Sequence, residues 1–193
     1  NHQRTILRES DVDRHIRFRK PGTITYGFDL ITWPGHLCIS GDCGTYVFQR
    51  TYDMFEFFIG GSFKRYPINP GYWAEKVLAK DKNGEIERFS AEEFNGAVLR
   101  DFQEWARHGS HTPEQVREIW RDIREDILNP DNECDAMQSV YSYQNHGFNF
   151  VDFWEHDTKE YTYGYLWCLY AIVWGIGRYE KLTSDVLREM NCF

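Results

Sequence analysis

The chain has 193 residues, 41% hydrophobic, 17% aromatic and 27% charged. That is a length for one domain, or at most two small ones, and an aromatic content that argues against intrinsic disorder. The formal net charge of −8 weighs against nucleic acid as a direct partner, and seven Trp, twelve Tyr and fourteen Phe can supply a sizeable core.

The first ten residues, NHQRTILRES, are polar and charged, unlike a signal peptide. HIRFRKPG alternates, with Ile16 and Phe18 on one side and Arg17 and Arg19 on the other, which predicts a half-buried strand stopped at Pro21-Gly22. TITYGFDLITWPG is rich in β-formers and ends at Pro34-Gly35. HLCISGDCGTYVFQR reads as two strands joined at Gly41-Asp42-Cys43-Gly44, with glycines where a turn needs positive φ. MFEFFIGG predicts a short helix closed by Gly60-Gly61, and residues 69–89 a further short helix or strand with a turn at Asn83-Gly84.

From Ser90 the pattern becomes helical. Ser90 and Glu93 have capping-box spacing. Phe94, Val98, Phe102 and Trp105 form one apolar stripe that Gly109 ends. Thr112-Pro113-Glu114-Gln115 starts a second helix, with Val116, Ile119, Trp120, Ile123 and Ile127 on its apolar side. Its other face carries Glu114, Glu118, Asp122, Glu125 and Asp126, with Arg117, Arg121 and Arg124 between them, and Asn129-Pro130 stops it. A third short helix is expected from about Glu133 to Tyr143. Tyr161 to Gly177 is uncharged but interrupted by Tyr and Gly. It reads as the front of a helix over 163–180, apolar all round and buried at the centre of the domain.

The expected fold is a single α+β domain over residues 1–193. Residues 1–89 would be mainly an antiparallel β meander with short helices, and 90–193 mainly helical. A small N-terminal sheet would pack against several helices, with a buried C-terminal helix. Cys38, Cys43, Cys134, Cys168 and Cys192 are odd in number and lack C-x-x-C spacing, so reduced thiols are expected. A Cys38–Cys43 bridge across the hairpin is the alternative.

The negative charge is local. Residues 1–110 hold 15 basic and 15 acidic side chains, residues 111–161 hold 4 and 12, and the remainder 3 of each. Besides the helical carboxylates, this acidic stretch contains Asp131, Glu133 and Asp135. Such a surface repels nucleic acid and attracts basic protein surfaces, although a charge run also serves simply as a solvated face.

Catalytic signals are weak. Asp42-Cys43-Gly44-Thr45 resembles the D-x-G-T phosphate-binding turn of sugar kinases and actin-like ATPases, and a hairpin explains the same glycines. The ligand turn under that reading comprises His36, Gly41, Asp42, Gly44 and Thr45. His108 and His111 lack a third ligand at zinc spacing. His146 and His156 flank Asp152, Glu155 and Asp157, which could hold a metal or form an acid–base pair, but no spacing rule selects them. No metal and no cofactor are expected. Arg14, Arg17, Arg19 and Lys20 make one basic stretch able to touch phosphates.

FDLITWPGHLCISGDCGTYVFQRTYDMFEFF, INPGYWAEKV and WCLYAIVWGI resemble a family of uncharacterised proteins encoded by bacteriophages and prophages, over about Asp11 to Tyr179. The resemblance implies the cytoplasm of a bacterial host and an accessory gene of the kind that blocks host defence, anti-CRISPR proteins included, or redirects host enzymes. It brings no catalytic residues. Three functions are therefore expected in order: a protein that binds and inhibits or redirects a basic host protein through its acidic helical surface, with no membrane and no direct nucleic acid; an enzyme acting on a nucleotide or nucleotide-derived signal at the Gly41–Thr45 turn; and a self-associating virion or assembly component.

Overall fold

The computed structural model describes residues 2–59, 68–145 and 147–190, with the backbone alone for 182–190. Gly60, Gly61, His146 and Cys192 lie outside the described residues. The fold is α+β, and the chain forms two compact units: Asn1–Ile86 with Tyr161–Phe193, and Glu87–Glu160.

The first unit is built on a six-stranded antiparallel sheet in chain order. Its strands are β1 (Gln3–Ser10), β2 (Asp13–Arg19), β3 (Phe28–Trp33), β4 (His36–Gly41), β5 (Gly44–Gln49) and β6 (Val77–Lys80). The alternation sets one buried face: Ile16, Phe18, Phe28, Leu30, Leu37, Ile39, Tyr46 and Phe48 are each at most 2% exposed. Pro34 and Gly35 close the β3–β4 hairpin with Gly35 at φ 78°, the order a tight turn of that hand favours. α1 (Met54–Ile59) buries Met54, Phe55 and Phe58. α2 (Pro70–Ala74) is capped by the Asn69 side chain, which accepts the Tyr72 N–H.

The long C-terminal helix, which we number α6 (Tyr163–Met190), lays Tyr165, Cys168, Leu169, Ile172 and Ile176 into the same core. Burial on every side, expected from its apolar composition, does not extend to Tyr163, Tyr170 and Trp174, which are exposed. Among the described residues no helix is long and apolar enough to cross a membrane.

The second unit opens with β7 (Glu87–Phe89), which pairs with β8 (Lys159–Tyr161). Between them lie α3 (Ala91–His108), α4 (Pro113–Asp122) and α5 (Glu133–Ser142). Ser90 caps α3 by accepting the Glu93 N–H. Thr112 and Gln115 cap α4 reciprocally, side chain to backbone in both directions. The core joins Phe94, Val98 and Phe102 to Ile119, Ile123, Ile127, Ala136, Val140, Phe148 and Phe153. A π-helical turn, Ile123–Ile127, extends α4, and the Leu128 N–H reaches back to the Ile123 carbonyl at 3.0 Å. The wider turn keeps both isoleucines buried and leaves Arg124, Glu125 and Asp126 outside. Asn129, at φ 60°, ends it by exchanging two hydrogen bonds with the Asn95 side chain, at 3.0 and 3.1 Å.

Candidate partner-binding surface

The acidic side chains of the second unit occupy α4, its π turn and the start of α5. Glu114, Glu125, Asp126, Asp131, Glu133 and Asp135 are exposed, whereas Glu118 and Asp122 are half-buried. The interleaved bases answer some of them. Arg117 meets Glu114 at 3.4 Å, Arg121 meets Asp122 at 3.5 Å, Arg124 meets Glu125 at 3.4 Å and Lys159 meets Glu133 at 3.6 Å. These contacts are long and solvent-facing, so each is worth at most about 1 kcal/mol. Asp122 is held harder, by the Asn145 amide at 2.6 Å. Asp135 and Asn132 bond reciprocally: the Asp135 N–H donates to Asn132 Oδ1 at 3.0 Å, and Asn132 Nδ2 donates to Asp135 Oδ2 at 2.7 Å.

The π turn and α5 face each other across a cleft of about 570 Å³ lined by Asp126, Ile127, Asp135, Gln138, Ser139 and Tyr143, among others. Two carboxylates are in its lining, with amide and hydroxyl groups and Ile127 making up the rest. The Tyr143 hydroxyl is buried in its wall. Burial pushes that phenol up, and Asp122, Asp126 and Glu118 push it further, against a pull from Asn145. It stays a neutral hydroxyl beside negative charge. The cleft suits a cationic side chain with hydrogen-bonding capacity. Tyr143, Ser139 and Asn145 carry no charge, so the composition of the acidic stretch did not single them out.

The Gly41–Thr45 turn is a two-residue hairpin between β4 and β5. Gly44 has φ 132°, the conformation expected of it. Gly41 serves another purpose: a Cβ there would collide with the Gly27 carbonyl and with Phe28 Cα. The Asp42 carboxylate accepts the Tyr26 N–H at 2.9 Å. The Thr45 N–H is given to Asp81 at 2.7 Å, and the Thr45 hydroxyl bonds Ser40 at 2.9 Å. The groups that would meet a phosphate are thus bonded within the chain. His36 stacks on Trp33 with ring centres 4.8 Å apart and bonds the Pro34 carbonyl.

The other polar candidates also have internal roles. His156 bonds Asp101 at 2.7 Å, His111 stacks on Trp105 at 3.7 Å and His108 is exposed. Among the described residues no group of three His, Cys, Asp or Glu is placed to hold a metal ion. Cys38, Cys43, Cys134 and Cys168 are free thiols, so no Cys38–Cys43 bridge forms. The basic stretch divides between the two faces of β2. Arg14 forms a two-pronged pair with Asp53 at 3.0 and 2.8 Å. Arg17 grips Asp29, whose other partner is His15 at 2.8 Å. Burial alone would raise the Asp29 carboxyl, yet Arg17 and His15 outweigh it and hold it below its ordinary value.

No family model matches the chain, and no curated protein or solved structure is significantly similar to it.

Proposed function

We propose that the protein is a binding protein whose acidic second unit engages a basic surface on another protein. The observation that carries this reading is the cleft between the π turn and α5, with Asp126 and Asp135 in its lining and exposed Glu125, Asp131 and Glu133 on the adjoining segments. An excess of carboxylates speeds encounter with a basic partner, and a polar cleft supplies the orientation that bulk charge lacks. The sequence resemblance to phage- and prophage-encoded proteins suggests a bacterial host protein as that partner. A nucleic-acid-binding defence effector has the required basic surface, and inhibition or redirection would follow from occupying it.

The test is a pull-down from bacterial lysate with the wild-type chain beside a Glu125→Lys, Asp126→Lys, Asp131→Lys variant. These side chains are exposed, so the fold should survive, which circular dichroism checks. A stoichiometric partner that is lost both on reversal and at high salt supports the proposal, since exposed charge contacts weaken with ionic strength. A partner retained by the reversed variant, or no partner at all, overturns it.

A further inference from the structure

We infer that the exposed aromatic stripe of α6 is a self-association face, and that it takes the same stripe of a second copy with the two helices antiparallel. Tyr163, Trp167, Tyr170 and Trp174 follow each other at steps of four, three and four, the spacing of a helix seam that meets another helix. The Trp167 and Trp174 rings reach Phe28 at the margin of the sheet core, at 5.6 and 6.2 Å, and the rest of the stripe faces away from it. Tyr163 is 64% exposed, Tyr170 60% and Trp174 40%. Off the helix, Tyr26 (44% exposed) stacks on Trp167 at 5.7 Å, and Ile24 is 71% exposed. A contiguous patch of this kind marks a protein contact. Tyr and Trp suit such a face, because they give large area at little conformational cost.

Two features select a second copy as the occupant. The first is self-complementarity. The exposed Tyr170 ring forms one wall of a hollow of about 240 Å³, whose other lining is His2, Phe28, Trp167, Ala171 and Trp174. The knob and the hole sit at neighbouring positions, Tyr170 and Ala171. A two-fold axis between them carries each Tyr170 into the other copy's hollow and sets Trp167 against the partner's Trp174. The second is charge. The same axis brings Tyr163 opposite the partner's Arg178. The Asp42 turn lies at that end of the stripe: a Cβ on Gly164 would meet the Cys43 carbonyl at 2.7 Å, and the Asp42 carboxylate holds the backbone of Tyr26, whose ring stacks on Trp167. The basic Arg178, 5.4 Å from the Trp174 ring, thus meets the acidic end of the other copy. A parallel arrangement would set like ends together.

Sedimentation equilibrium on the full chain tests this. A dimer is expected. Tyr170→Glu would place a carboxylate in the apolar hollow and weaken the dimer by about thirtyfold or more, the scale of a central contact residue. Arg178→Glu would set two acidic ends together and weaken it by about tenfold at low salt. Both side chains are exposed in the single chain, and thermal unfolding of the variants confirms that they fold. A wild type that stays monomeric at every concentration, a dimer that survives Tyr170→Glu, or an Arg178→Glu dimer as tight as the wild type overturns the proposal. The lysine reversals in the second unit leave this dimer unchanged, so the two surfaces stand or fall separately.

Discussion

The Asp42 carboxylate accepts the backbone N–H of Tyr26 at 2.9 Å, sixteen residues away and at the same end of the neighbouring strands β3 and β4. Tyr26 has φ 56°, a conformation disfavoured for a bulky side chain. Asp42 N–H donates to the Gly27 carbonyl at 3.0 Å, so turn and loop clasp each other twice. The consequence is positional: the Tyr26 ring is set on Trp167. Asp42→Ala should lower stability by about 1–2 kcal/mol and change the near-ultraviolet dichroism of the aromatic stripe. Asp42→Asn keeps an acceptor oxygen and should lose less. Chemical denaturation of the three proteins measures both effects, and equal stability of wild type and alanine variant would contradict this account.

Acid should act on the sheet unit through Asp29 and Asp53. Burial raises both carboxyls, but Arg17 and His15 on the one, and Arg14 with the Phe55 N–H on the other, bring them below the ordinary value of 3.8. The unfolded chain then takes up these protons before the folded chain does. Their stabilisation is complete above that value and is lost as pH falls through the lower folded values. Asp53→Asn should cost about 2 kcal/mol at neutral pH and flatten the acid limb of the stability curve. Glu180 has the opposite sign. Burial raises it above 4.5, Asp53 adds to this, and Arg14 opposes it. Its ionised form costs stability at neutral pH, and the cost fades as pH falls toward 4.5. Glu180→Gln should therefore raise the melting temperature near pH 7 and lose that advantage in acid. Melting curves from strongly acidic to neutral pH separate the two behaviours.

The cysteines should differ sharply in reactivity. Cys134 is exposed. Cys168 is buried, and burial pushes its thiol up to about 12, with Cys43 and Asp81 adding to the rise. Burial likewise raises Cys38 and Cys43. The thiolate is the reactive form. Alkylation of the native protein at neutral pH should mark Cys134 well before Cys168, and denaturant should erase the difference. Peptide mapping by mass spectrometry reads this directly, and early labelling of Cys168 would refute it.

Strands β2 to β5 were legible because their alternation is strict and Pro-Gly pairs punctuate them. The starts of α3 and α4 were legible because capping is a local code. β1 was not: an exposed edge strand has no buried side to impose alternation, and Ile6 and Leu7 stand side by side. The π turn was hidden too, since Ile123 and Ile127 keep an ordinary helical spacing while the backbone between them widens. In the second unit the acidity could be counted, but the cleft could not be seen, because Asp126 and Asp135 come to line one cleft only through the turn at Asn129. In α6 the composition pointed to burial all round. It did not reveal that a helix on one side of a single sheet has only one side to bury. The roles of Asp42, Arg14 and Arg17 depend on partners far along the chain, and no local pattern announces such pairings.

The sheet unit is discontinuous in the chain. Its polypeptide leaves at Ile86 and returns at Tyr161, and the Thr162 N–H closes the gap by bonding the Ile86 carbonyl at 2.9 Å. During synthesis all six strands emerge well ahead of the helix that covers them. At typical elongation speeds of about 5–20 residues per second, the sheet waits several seconds or more with Phe18, Phe28 and Leu30, the side chains against Gly175 of α6, uncovered. The intervening unit is completed in that interval, and it has its own core. Its folding can therefore finish while the nascent sheet is still a sticky, half-made surface, the period in which a chaperone or a neighbouring chain has its opening.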